Sequence, residues 1–303
     1  MRFSVTVPAS SANLGPGFDA LAVAIDLPLR IDVVQMPAGG SRRVGGPDLG
    51  GGEDLVLAGM RQAARLAERE LPACQVSVRA DIPVARGLGS SAAALVGGLL
   101  VGNHLLGNPL DEDAILRLGT AVEGHGDNVA AALYGGVVVV VRDGERVVAH
   151  RVPLAVEPRA TLFVPDRAGL TRDARAVLPA EIPRADAVAN AARCALLVLA
   201  LGSGELDLLG LAMDDRLHQP YRTMLYPYLP EMIAAARASG AYGASLSGAG
   251  PSVLALVAPE RAAAVAAAMA DVASRYHLGG TSLDVPLATA GARVEAAELL
   301  PHD

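Results

Sequence analysis

The stretch IPVARGLGSSAAAL, Ile82 to Leu95, constrains the chain more than any other. An extended run ends near Pro83, two glycines and two serines follow, and an apolar helix begins. Ser90 and Ser91 stand where helix-capping residues belong. A turn with so few side chains must lie close to something, either a phosphate group or another piece of backbone. Gly87-x-Gly89-x-x-Ala92 also matches the form of a dinucleotide fingerprint, with Asp111 at about the distance of a ribose acid. The context opposes that reading. Pro83 to Arg86 separate strand from glycines, and Asp111 opens a helix where the fingerprint needs the end of a second strand. Backbone N–H groups at a helix start, flanked by hydroxyls, form an anion site that needs no lysine. The phosphate and packing readings both stay open at this point.

That lysine-free site matters because the chain contains no lysine: all 25 basic residues are arginine. A genome rich in arginine codons is the plain explanation. The chemical exclusion holds either way: no Schiff-base lysine, and no P-loop with its phosphate-binding lysine. The net charge of -7 argues against a general affinity for nucleic acid or for an anionic membrane. An anionic substrate therefore needs a local cluster of positive groups. Cys74 and Cys194 sit in apolar patterns and read as reduced core residues. Met1 to Val7 reads as a strand without the layout of a signal segment. The most apolar run, Ala92 to Leu106, is broken by glycines and too short to span a bilayer. A cytoplasmic protein is the expectation.

Hydrophobic residues make up 52% of 303 positions, enough for one large or two ordinary cores. Alternation predicts strands at Arg2 to Val7, in two runs around Pro28 between Ala20 and Val34, and at Gln75 to Ile82. It also predicts a hairpin of Val137 to Arg142 with Arg146 to Val152 through Asp143-Gly144. Helical spacing predicts Leu55 to Arg69, Ala92 to Leu106 and Asp111 to Val122. Prolines cluster near Arg151 to Arg159, where a boundary is expected between units 1–155 and 156–303. Beyond it come a strand at Ala160 to Val164 and helices at Arg184 to Leu201, Glu205 to Met213 and Glu231 to Ser239. Two strands, Ala244 to Ser247 and Ser252 to Val257, flank a second glycine turn. An alanine-rich helix, Arg261 to Arg275, follows, and a last strand lies near Arg293. Hairpins mixed with helices predict an α+β fold.

Three further stretches carry polar groups. VPASSANLGPGFDALAVAIDL, from Val7, sets Ser10, Ser11, Asn13 and Asp19 in a loop between strands. EGHGDNVAAALYGG, from Glu123, brings two carboxylates, an imidazole and an amide into six residues. SLSGAGPSVLAL, from Ser245, is the second glycine turn. Read alone, Glu123 could be a solvated helix-end charge, His125 a loop histidine bonded to backbone, Asp19 a turn cap and Arg222 a surface ion pair.

Together these stretches form a resemblance. Pro83-x-x-x-Gly87-Leu88-Gly89-Ser90-Ser91-Ala92-Ala93 resembles the ATP signature of the GHMP kinases, the superfamily of galactokinase, homoserine kinase, mevalonate kinase and phosphomevalonate kinase. The block Pro8 to Asp19, the block Glu123-Gly124-His125 with Asp127-Asn128, Thr171 with Arg175 to Pro179, and Asp214 to Arg222 are similar to its homoserine kinase branch. The likeness runs in order over nearly the whole chain. Five motifs in series are specific where each alone is weak.

The resemblance implies two domains, a mixed-sheet N-terminal one that binds ATP and a helix-rich α/β sandwich at the C-terminus, with the site in the cleft between them. It implies ATP and Mg2+ as cofactors and L-homoserine as substrate, phosphorylated on its hydroxyl for threonine biosynthesis. Pro83, Arg86, Gly87, Leu88, Gly89, Ser90, Ser91, Ala92 and Ala93 would meet ATP, and Ser91 and Glu123 would hold the metal. Arg175 and Arg222 would take the homoserine carboxylate and Asp19 its ammonium. Asn128 would hydrogen-bond the reacting hydroxyl, with Asn13 and His125 completing the pocket. Asn128 and Glu123 would stand closest to the chemistry. The turn Ser247 to Gly250 would let the domains approach over the site. Two positions depart from the pattern. Gly126 replaces a proline, which implies a freer loop, and Asp54 stands near the adenine where members often carry asparagine. A kinase of mevalonate or a sugar alcohol, or a ligand sensor on the same scaffold, is the alternative. A homodimer is admissible, and no motif selects it.

Overall fold

The computed structural model describes residues 1–49 and 53–296. Two sheets organise the chain. The first is built on the long antiparallel pair β1 (Arg2–Asn13) and β2 (Gly17–Gln35). Pro8 and Pro28 face each other across this pair, and the register shifts just beyond them. Neither proline can donate to the ladder, so the pairing slips where both occur. The two runs expected around Pro28 are therefore one strand with an irregularity. β3 (Arg42–Gly45), β4 (Cys74–Ala80), β5 (Val137–Asp143) and β6 (Arg146–Val152) extend the sheet, in the order β11 (Arg293–Ala296), β1, β2, β4, β3, with β5 paired to β2 and β6 to β5. The Asp143-Gly144 hairpin forms as expected. The last strand, β11 (Arg293–Ala296), crosses back to pair with β1.

Helices α1 (Leu55–Leu66), α2 (Ser90–Leu105), α3 (Glu112–Glu123) and α4 (Asp127–Tyr134) pack with this sheet. Asp54 caps α1, accepting from the N–H groups of Val56 and Leu57 at 3.1 Å each. Asp111 caps α3 through the N–H of Ala114 at 2.7 Å. α2 is apolar on every side because it is buried on nearly every side. Its glycines let α1 approach to backbone contact: a Cβ at Gly98 would stand 2.1 Å from the Val56 carbonyl oxygen.

The second sheet is antiparallel, in the order β10-β7-β9-β8, from β7 (Arg159–Pro165), β8 (Ala241–Leu246), β9 (Val253–Val257) and β10 (Gly280–Val285). Its strands alternate between two cores. Leu162, Leu254 and Leu256 join the core of the first sheet together with Leu197 and Leu209. Phe163, Val253, Ala255 and Val257 face a second core with Met232 and Met269. That second core is closed by α9 (Leu229–Ala238) and α10 (Ala262–Arg275). Before them come α5 (Thr171–Ala176), α6 (Arg184–Ser203), α7 (Leu209–Ala212) and α8 (Gln219–Arg222). The helix expected at Glu205 to Met213 is a 3-10 turn at Leu206–Leu208 followed by α7. Among the described residues, α6 alone is long and apolar enough to cross a membrane by length and composition.

The α1–α2 contact yields a prediction. Gly98→Leu forces the helices apart, and overpacking of this kind costs about 3 kcal/mol or more. Urea unfolding checks it; an unchanged midpoint would show that the contact tolerates a side chain.

Candidate active site

Three turns meet where the two sheets adjoin. The turn after β1 carries Asn13 and Leu14 in the left-handed region at φ 73° and 47°. The glycine turn before α2 and the Ser247–Gly250 turn complete the set. The Gly248 N–H donates to the Ala12 carbonyl at 3.1 Å. Ser247 Oγ donates to the Gly87 carbonyl and shares a hydrogen bond with Ser11 Oγ, both at 2.7 Å. A Cβ on Gly87 would lie 2.3 Å from the Ser247 carbonyl oxygen, and one on Gly89 would lie 2.1 Å from Ser10 Oγ. Backbone and a hydroxyl therefore exclude side chains at these glycines, so packing accounts for both positions.

The anion reading survives on other atoms. Gly89, at φ 68°, is the N-cap residue of α2, and no side chain caps the helix. Ser90 and Ser91 are thus the first helical residues and not the caps expected of them. The leading N–H groups of α2 are left by side chains to face a cleft of about 220 Å3. Gly87, Leu88, Gly89, Ser90 and Ser91 line that cleft; Pro83, Arg86, Ala92 and Ala93 do not. Arg86 instead donates to the carbonyls of Val84 and Pro165 at 2.9 and 2.7 Å, and to that of Asp166. Leu49 and Leu55 give the cleft an apolar side. Asp54 is committed to its cap and to Arg43 at 3.4 Å. Asparagine caps as well as aspartate does, so the exchange keeps the helix start.

Across the cleft, the junction of α3 and α4 gathers the polar block. His125 Nδ1 lies 2.7 Å from Asp127 Oδ1, and its Nε2 lies 3.8 Å from Glu123 Oε2. Asp127 is buried and also accepts the Asn128 N–H at 2.7 Å. Ser10 donates to Asn128 Oδ1 at 2.8 Å, which turns the amide nitrogen of Asn128 away from Ser10. Burial pushes the Glu123 carboxyl above its usual range, although His125 and a hydrogen bond with Ser91 pull the other way. Burial lowers His125, but its bond to Asp127 and the charges of Asp127, Glu123 and Asp19 outweigh that and raise it. Gly126 is buried, and a Cβ there would meet Thr120 and Val140 at 2.9 Å each.

The predicted substrate residues come together, but in pairs the sequence did not suggest. Asp19 and Arg175, 156 positions apart, form a two-pronged ion pair at 2.7 and 3.0 Å. Asp19, His125 and Asp127 offer ligand atoms within 4.8 Å of one another, a group suited to a cation. Asn13 lines the cleft, yet its amide is spent on backbone, donating to the Gly248 carbonyl at 3.0 Å and accepting the Asp19 N–H at 3.1 Å. Arg222 is 2% exposed. Its Nε donates to the Ala174 carbonyl at 3.1 Å, and its Nη1 to the Gly248 carbonyl at 2.9 Å and to His218 Nδ1 at 3.1 Å. No carboxylate pairs with it among the described residues. Burial, then the charge of Arg175, lowers it to about 10.

Phe18 and His218 escaped the sequence reading. The Phe18 ring carries Arg175 and Arg222 at 5.4 and 5.5 Å from its centroid. His218 is fully buried, and its Nε2 lies 2.8 Å from the Gly15 carbonyl. A carbonyl only accepts, so Nε2 carries the proton and Nδ1 is free to accept from Arg222. Burial lowers its pKa to about 4, against the pull of Asp215. His218 lay inside a motif, which was its only signal. Phe18 likewise lay inside the Pro8 to Asp19 block.

These observations can be set beside known proteins. Residues 55–136 match the family description "GHMP kinases N terminal domain", and residues 197–274 match "GHMP kinases C terminal". A homoserine kinase of Deinococcus radiodurans is 43% identical, covering 98% of both chains. One of Moorella thermoacetica is 42% identical over 88% of this chain and 92% of its own. The crystal structure of homoserine kinase from Cytophaga hutchinsonii superposes with a TM-score of 0.87 at 29% identity, covering 97% of each chain. Lactococcus lactis galactokinase, at 14% identity and a TM-score of 0.70, shares the fold. The chain is a GHMP kinase by fold and by sequence. Within that superfamily it belongs to the homoserine kinase family.

His218 carries a pH prediction. Its folded pKa lies below the ordinary 6.5, so its protonation favours the unfolded chain. Stability is full above about pH 6.5 and falls as pH drops toward 4. Between pH 7 and 5 the wild type should lose about 1 to 2 kcal/mol more than His218→Gln in urea unfolding. Equal losses would mean that His218 titrates normally.

Proposed function

We propose that the chain transfers the γ-phosphoryl group of ATP to the side-chain hydroxyl of L-homoserine, giving ADP and O-phospho-L-homoserine for threonine biosynthesis. The observation that carries this reading is Arg222, a buried guanidinium in the cleft wall with no carboxylate partner among the described residues. A buried cation that lacks a partner favours an anion. Next to it stands an ion pair, Asp19 with Arg175, whose members can each take one end of a zwitterion. The ammonium goes to Asp19, close to the carboxylate of Asp127. The carboxylate goes to Arg222 and Arg175 across Phe18. Inserting between Asp19 and Arg175, the substrate replaces one ion pair with two. A mono-charged alcohol would leave one partner unpaired, which disfavours it.

The remaining assignments follow the same logic. The free N–H groups at the start of α2 receive the triphosphate, and Leu49 and Leu55 face the base. Asn128, held by Ser10, orients the homoserine hydroxyl. Ser91 and Glu123 suit magnesium: hydroxyl and carboxylate are hard oxygen donors, they are hydrogen-bonded to each other, and burial leaves Glu123 wanting a cation. Bound there, the ion would neutralise charge on the phosphates. Catalysis is then chiefly positioning and electrostatic stabilisation. We also read 1–155 as the ATP-binding unit and 156–303 as its companion, with β11 lent back to the first sheet, and place the enzyme in the cytoplasm.

A coupled ADP-release assay over homoserine, threonine, serine, mevalonate and galactose tests the reading; turnover of any other member in preference to homoserine would sink it. Glu123→Ala should lower kcat by several powers of ten while homoserine still binds. Near-normal turnover would remove Glu123 from the metal site. Arg175→Ala and Arg222→Ala should each lose roughly ten- to a hundred-fold in kcat/KM for homoserine, the value of a charge-assisted contact of about 1.5–3 kcal/mol. The loss should be small for 3-aminopropan-1-ol, which lacks the carboxylate, and ATP binding should stand. If both variants keep the wild-type preference for homoserine, the carboxylate is held elsewhere.

A further inference from the structure

Arg86 stands inside the glycine motif, yet it is not among the residues that line the cleft. Its guanidinium grips the other lobe. Strand β7 ends at Pro165, and Arg86 Nε donates to the Pro165 carbonyl at 2.7 Å while Nη2 donates to that of Asp166. Nη1 donates back to the Val84 carbonyl at 2.9 Å, which fixes the fork on its own loop. Ala85, in the left-handed region at φ 55°, completes the tie: its carbonyl accepts the Gly169 N–H at 2.9 Å. Gly169 has no space for a side chain, since a Cβ there would lie 2.8 Å from Pro251 Cδ and from the Tyr226 hydroxyl.

The helix that carries Arg175 follows directly. α5 has six residues and no side-chain cap, too few to hold a place of its own. On its other side it is held beside the substrate pocket: the Ala174 carbonyl accepts from Arg222 Nε at 3.1 Å, and Arg175 pairs with Asp19. Homoserine entering between Asp19 and Arg175 releases the second of these holds. The seat of α5 then depends on the tie to the glycine motif. We propose that Arg86 is a positioning residue for the homoserine carboxylate. By holding Pro165 and Asp166 against the phosphate turn, it seats α5 so that Arg175 meets the carboxylate at a set distance from the start of α2. A planar guanidinium suits this task because one fork reaches carbonyls of two segments at once, where an ammonium is a point charge. Resting on the assignment of the carboxylate to Arg175, this role differs from the ATP contact that the motif implies.

Arg86→Met, which keeps the stem and removes the fork, tests the proposal beside Arg86→Lys. Calorimetry without homoserine should show ATP binding as in the wild type. KM for homoserine should rise roughly tenfold, the worth of one charged hydrogen bond, with kcat little changed. Lysine should recover little of the loss. With 3-aminopropan-1-ol, which has no carboxylate, the loss should be small. Amide exchange reads the same tie without substrate: 166–176 should exchange faster in the variants, while 88–95 keep their protection. Weaker ATP binding with an unchanged KM for homoserine puts Arg86 on the nucleotide and overturns the proposal. Equal losses with both alcohols, or unchanged exchange over 166–176, overturn it too, because Arg86 then does not act through α5. Arg86→Lys carries the same measurements should Arg86→Met fail to fold. A wild type that does not prefer homoserine to 3-aminopropan-1-ol is a failure of the functional reading and removes the carboxylate role with it, whereas exchange still decides whether Arg86 seats α5.

Discussion

Three turns pressed together with only serine hydroxyls between them are what the rest of this molecule depends on. Gly87 lies against Ser247 and Gly89 against Ser10, so closely that a single carbon at either position would collide. Ser247 Oγ and the Gly248 backbone then bind the two lobes through Gly87, Ser11 and Ala12. The contact sets where α2 begins, and so where its leading N–H groups point. It also draws the Asn13 to Asp19 turn, the start of α2 and the second sheet around one cleft. The first hydrophobic core runs through both lobes and the second stabilises the C-terminal one, and the turn contact fixes how the lobes meet at the cleft.

Charge is distributed around the cleft with opposite signs kept apart. Glu123, Asp127 and Asp19 surround His125 on one side, and Arg175 and Arg222 flank Phe18 on the other. Among the described residues, only the Asp19 to Arg175 pair bridges them. Arg222 is held in place by neutral acceptors, among them a histidine that burial keeps unprotonated at neutral pH. A carboxylate in the place of His218 would satisfy Arg222 permanently. An imidazole aims the guanidinium while leaving its charge for a ligand, which is how the wall can remain both ordered and receptive under the proposed reading.

α2 and α6 show how one composition serves two ends. Both are long and apolar. α2 is enclosed by α1, the first sheet and α4, and its glycines permit the close crossing. α6 is anchored along one side by the buried Asn190–Asp215 pair and by Arg193 with the exposed Asp214, and leaves its apolar stripe outside. Hydrophobicity alone does not separate the two. The polar residues that find partners decide which side faces in.

Much of the architecture was legible because its causes are local. Periodicity placed α1, α3 and the alanine-rich α10 within a few residues, and Asp143-Gly144 announced its hairpin. Motif order carried the family, since each block keeps its own spacing along the chain. The long strand around Pro28 was misread as two because proline's local effect is real and the partner proline, 20 positions away, is what absorbs it. The reason for the glycines, the pairing of Asp19 with Arg175 and the tautomer of His218 could not be read at all. Each depends on an atom 79 to 203 residues distant or on the degree of burial, and neither exists until the sheets have packed. Propensity, capping and spacing are properties of neighbours in sequence, so the sequence alone determined the elements and the class. Hydrogen-bond partners, desolvation and steric exclusion are properties of neighbours in space, so only the tertiary structure decided how those elements make a site.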